Sequence, residues 1–107
     1  MQPSEVQQRF QRVEQCIDDA YQACQQSQSA PQQLKQSIQQ LDQSADQARQ
    51  YIQGQDQGKI KQCIYELEEL SDRALEACRQ AGNVDPQLKQ AVQQTHSELS
   101  SLKHQMG

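Results

Sequence analysis

A unit of 54 residues, used twice, constrains this chain more than any other feature of its sequence. Displaced by 54 positions, the apolar stripe of residues 1–53 falls on itself without a gap. Val6, Phe10, Val13, Ile17, Ala20 and Cys24 land on Ile60, Ile64, Leu67, Ser71, Ala74 and Cys78. Leu34, Ile38, Leu41, Ala45, Ala48 and Ile52 land on Leu88, Val92, Thr95, Leu99, Leu102 and Met106. Identities accompany the match at Glu14/Glu68, Asp18/Asp72, Lys35/Lys89 and Gln36/Gln90. A self-match held in register over a whole unit specifies an architecture, because each copy must bury the same face.

Steps of three and four along each stripe mark helices. The spacing predicts helices over about 4–28, 31–53, 57–81 and 86–105, so that residues 1–54 and 55–107 each form a helical hairpin. Ser4 and Gln7 have the spacing of a capping box, and Pro31 suits a first turn because its missing N–H would be unpaired there. Gly54-Gln-Asp-Gln-Gly58 is the clearest turn, Gly82-Asn83 tolerates a left-handed cap, and Asp85-Pro86 is a strong helix start. Connections this short make neighbouring helices antiparallel, giving one all-α domain, an up-down-up-down four-helix bundle. Folding each hairpin at its turn places Ile17, Leu41, Ser71 and Thr95 in one middle layer. Its two hydroxyls then need partners, either each other or a helix carbonyl one turn back, and are expected to be satisfied locally.

Gln makes up 27 of the 107 residues. The apolar spacing runs unbroken through the Gln-rich segments and Gln is a good helix former, so Gln is read as uncharged helix surface rather than disorder. Net charge is −4, split as −2 from residues 1–54 (four basic, six acidic) and −2 from residues 55–107 (six basic, eight acidic). Without a basic stripe, nucleic acid is not an expected partner. The sequence carries no signal-peptide pattern, no apolar run of membrane-spanning length and no C-terminal lipidation motif, so the expected setting is cytoplasmic, with reduced thiols and no membrane contact. Trp is absent and Phe10 is the only Phe, a thin supply of lining for a large apolar ligand pocket.

The side chains that could carry chemistry are few. Cys24 and Cys78 hold the same place in the two units and should both point at the bundle axis, with Cys16 and Cys63 on the flanks. They are the candidates for a soft-metal site for Cu(I) or Zn, although the C-x-x-C spacing that usually announces one is missing; otherwise they are small hydrophobes in a core. Glu66, Glu68, Glu69, Asp72 and Glu76 read as a solvated helix face, since no Glu-x-x-His pair accompanies them. His96 and His104 lie eight apart, off the four-residue spacing of a helical metal pair, and read as surface residues. No nucleophile has a base and an orienting group placed beside it by sequence, and no glycine-rich phosphate loop occurs. The expected function is therefore non-catalytic and without cofactor: a small bundle acting through a protein partner as an adaptor, chaperone-like or structural accessory protein. Tyr65, Tyr21 and Tyr51 are its candidate interaction residues, Tyr65 foremost because it stands outside its stripe where the first unit has Gln11. The alternative is a thiol-based metal-binding or redox-responsive bundle using Cys24 and Cys78. The chain would be a monomer, or a homodimer made by opening the Gly54–Gly58 turn and exchanging hairpins.

Overall fold

The computed structural model describes residues 3–28, 30–54 and 56–106, and they form four helices. These are α1 (Pro3–Gln26), α2 (Gln32–Gln53), α3 (Gln57–Ala81) and α4 (Pro86–Met106), with no strand among the described residues. A 24-residue helix such as α1 is about 36 Å long at 1.5 Å per residue. The molecule measures 40 × 21 × 18 Å, so every helix runs nearly its full length. α1 packs on α2 and α4, and α3 packs on α2 and α4, while the pairs α1/α3 and α2/α4 lie across the diagonals. This is the antiparallel four-helix bundle of two repeated hairpins that the spacing predicts.

Burial follows the repeat. Of the twelve stripe positions in each unit all are buried except Met106, which is partly buried at the chain's end. Positions flanking the stripe also match: Cys16 and Leu70 are half-buried, as are Tyr21 and Leu75. Ala23 and Ala77, equivalent to each other, join the core although the stripe does not include them.

The helix ends follow local chemistry, with one departure from expectation. α1 begins at Pro3, whose missing N–H costs nothing in a first turn, so Ser4 lies inside the helix and is exposed rather than capping it. At the central turn the side chain of Asp56, flanked by Gln55 outside the described residues, accepts the Lys59 N–H at 3.3 Å and caps α3. Gly82 ends α3 at φ 72°, its N–H bonded to the Cys78 carbonyl at 3.3 Å. A Cβ at Gly82 would meet nothing within 4 Å, so a substitution there is opposed by backbone strain alone. Gly82→Ala is expected to lower the unfolding free energy by about 1–2 kcal/mol in urea titrations. Gly54, at φ −79°, is under no such constraint.

Both hydroxyls of the middle layer are satisfied within their own helices. Ser71 Oγ donates to the Glu68 carbonyl at 2.7 Å, and Thr95 Oγ1 donates to the Ala91 carbonyl at 2.8 Å. No buried side-chain polar atom among the described residues lacks a partner. Ser71→Ala should therefore cost less than about 1 kcal/mol in the same titration, since it leaves behind a helix carbonyl that already has its backbone partner.

Candidate functional site

The surface carries open grooves between neighbouring helices. One, between α1 and α4, is lined by Arg12, Gln15, Cys16, Gln94 and Glu98. None of the described helices is long and apolar enough to cross a membrane.

The four cysteines are free and do not come together as a group. Cys24 and Cys78 are 5% and 3% exposed at the C-terminal ends of α1 and α3. Burial pushes the Cys24 thiol above its ordinary pKa, with Lys35 pulling the other way. Cys78 is raised by burial too, opposed by Lys89 and reinforced by the nearby Cys24. Cys16 and Cys63 are half-buried, and burial also raises both, helped by Glu98 and Asp19 at Cys16 and by Glu66 at Cys63. All four thus favour the protonated thiol, which is the poorer metal ligand and nucleophile.

Polar chemistry concentrates instead along the seam within each hairpin, where the repeat reappears in charged form. In the first hairpin Arg49 of α2 reaches Glu14 of α1, its Nε at 2.7 Å from Oε2 and its Nη2 on the same oxygen. Glu14 holds the Arg49 proton more firmly as a result. In the second, Lys103 of α4 reaches Glu68 of α3 with Nζ 3.2 Å from Oε2. Glu14 and Glu68 are equivalent positions, as are Arg49 and Lys103. The two glutamates are only 18% and 15% exposed. Glu68 is therefore not part of a solvated face; Glu66, Glu69, Asp72 and Glu76 are exposed as expected.

Beside each pair stands a third equivalent position, where the units diverge. The first hairpin has Asp42; burial pushes its carboxyl up, and Asp46 and Asp18 add to the effect while Arg49 opposes it. The second has His96, a quarter exposed. Its Nε2 lies 2.5 Å from Asp72 Oδ1 and 3.7 Å from Glu68 Oε1. Glu68, Asp72 and His96 are the one group of three potential metal-ligating residues among the described residues whose donor atoms all lie within 4.8 Å of one another. Sequence reasoning passed over it. The detectable signal was Glu68 and Asp72 one turn apart on α3, with a histidine on the facing helix.

The three tyrosines separate clearly. Tyr21 and Tyr51 are half-buried and packed on the core edge, and Lys59 stands 5.2 Å from the Tyr51 ring. Tyr65 is 39% exposed, the one exposed large hydrophobic side chain among the described residues. Lys103 Nζ lies 5.0 Å from its ring centre and Lys61 Nζ 5.9 Å. His104 and Ser100 complete an open groove beside it. The fold and this surface define a class, a repeated-hairpin helical bundle with a closed core. Compared with protein-family models, with curated proteins and with solved structures, the chain finds no match.

Proposed function

We propose that this chain is a non-catalytic interaction module that meets a protein partner through the α3/α4 face centred on Tyr65. The observation that carries the reading is the exposure of that ring: at 39% it is the one exposed large hydrophobic side chain among the described residues. Aromatic and cationic groups are the side chains that interfaces favour, and Lys61 and Lys103 stand over this ring. The equivalent place in the first unit is Gln11, so the surface departs from the repeat at this point while the core keeps it. The free cysteines fit a reducing, cytoplasmic setting for the same role.

The test places a photoreactive aromatic residue at position 65 and, separately, at position 11 in the native host. A discrete protein adduct from position 65 and none from 11 supports the reading. With the purified partner, Tyr65→Ala should then weaken binding at least about tenfold, as expected for an interfacial aromatic anchor. Absence of an adduct at 65, or equal labelling from both positions, would overturn it.

A further inference from the structure

The geometry points to a metal site at Glu68, Asp72 and His96, open to a divalent first-row transition ion of which Zn²⁺ is the representative. Two carboxylate oxygens from successive turns of α3 and one imidazole nitrogen from α4 converge from two rigid helices. Three protein donors with room for water is the coordination of an open zinc site. The imidazole argues against Mg²⁺ and Ca²⁺, which take oxygen, and the lack of sulfur argues against Cu(I).

The three donors lie within reach of one ion, all within 4.8 Å of one another. Metal–ligand bonds of about 2.0–2.2 Å place tetrahedral donors roughly 3.3–3.6 Å apart. Glu68 Oε1 and His96 Nε2 already stand 3.7 Å apart. Asp72 Oδ1, now 2.5 Å from the same nitrogen, has to retreat by about one ångström. Its side chain is 57% exposed, so among the described residues His96 is the one contact it has to loosen. Glu68 is the least mobile donor, because Lys103 Nζ holds its other oxygen at 3.2 Å and Ser100 Oγ lies 3.5 Å from Oε1. Outer contacts of this kind orient a metal-binding carboxylate. Lys103 offsets only one of the two carboxylates, Glu68 and Asp72, so a dication still finds an uncompensated negative charge. The first hairpin provides the contrast: with Asp42 in place of the imidazole, Glu14, Asp18 and Asp42 do not meet within the same distance.

The experiment uses the whole reduced chain and the metal alone. Equilibrium dialysis against Zn²⁺ should give one ion per chain. Co²⁺ in its place should give weak visible absorption without the intense near-ultraviolet band of thiolate ligation. His96→Ala and Asp72→Asn alter side chains outside the buried core, so both should keep the far-ultraviolet dichroism of the parent. Each should weaken Zn²⁺ binding at least about 100-fold, since losing a direct ligand exceeds the 10–100-fold typical of an outer-shell partner. Zn²⁺ should also raise the melting temperature of the parent but of neither variant. Failure to bind below about 1 mM Zn²⁺, weaker than about −4 kcal/mol, overturns the assignment. So does uptake that survives His96→Ala, or a thiolate–cobalt band. None of these outcomes bears on the Tyr65 reading.

Discussion

Leu99→Ala is expected to lower the unfolding free energy by about 3–4 kcal/mol and the melting temperature by roughly 12–20 °C. Leu99 is fully buried on α4. Folding each hairpin at its turn places Val13, Ala45, Leu67 and Leu99 in one layer; all four are buried, and the repeat aligns Val13 with Leu67 and Ala45 with Leu99. Bulk in this layer comes from the second hairpin, while the first supplies a valine and an alanine. Truncating Leu99 therefore opens a void with no large neighbour on α2 to relax into it, and the cost lies toward the upper part of the range for buried leucines.

The same layer offers an internal check on how the two hairpins are aligned. Ala45→Leu alone should cost about 1–3 kcal/mol by overpacking. Combined with Leu99→Ala it restores the layer's volume with the large and small residues exchanged between the copies. The pair should then be coupled by at least about 1 kcal/mol in a double-mutant cycle read from urea midpoints at constant slope. Strict additivity would mean that Ala45 and Leu99 do not share a layer.

What could be read from the residues depended on whether the information was periodic. The helix bounds came within two residues at each end, because the stripe and the turn residues Gly54, Gly82 and Pro86 are local signals. Ser71 and Thr95 could be placed in the core and given helix-carbonyl partners for the same reason, since the acceptor lies one turn back on the same helix. The ion pairs were harder. Glu14 with Arg49, and Glu68 with Lys103, join different helices 35 residues apart in sequence. Their meeting depends on how far each helix is rotated about its axis, which polar flanking residues report only weakly. His96 illustrates the difficulty: one position off the core line reads as surface, yet that position on α4 faces the groove where Glu68 and Asp72 stand. The repeat held the missing clue, because Glu14/Glu68 and Arg49/Lys103 share its 54-residue shift, and a charge pair preserved in both copies implies a contact in both. The start of α1 differs for a simpler reason: Ser4 with Gln7 has capping-box spacing, but the helix already includes Pro3, so Ser4 lies inside it.

Alkaline solution should destabilise this protein through its two core thiols. Burial holds Cys24 and Cys78 above their ordinary pKa in the fold, while in the unfolded chain they ionise normally. A thiol that binds its proton more tightly when folded contributes stability that is fully present below the unfolded pKa and is lost as pH rises towards the folded one. Between those limits the unfolded state carries fewer protons, so the unfolding free energy falls with pH. Two such groups give a limiting slope of about 2.7 kcal/mol per pH unit, setting in near pH 9. Lysine and tyrosine titrate in the same range, so the informative quantity is the difference between the parent and the Cys24→Ala/Cys78→Ala variant. Below pH 8 the variant should be the less stable by a constant amount, from lost packing. Above pH 9 its urea midpoint should fall less steeply than the parent's, narrowing the gap by at least about 1 kcal/mol by pH 10. Parallel curves would mean that the thiolates are as well solvated in the fold as outside it, against an exposure of 5% at Cys24 and 3% at Cys78. Labelling gives the kinetic counterpart at neutral pH. Cys16 and Cys63, half-buried at the flanks, should react with a small alkylating agent while the molecule stays folded. Cys24 and Cys78 should wait for opening of the bundle, slower by a factor of roughly a thousand or more if that opening costs 4 kcal/mol or above.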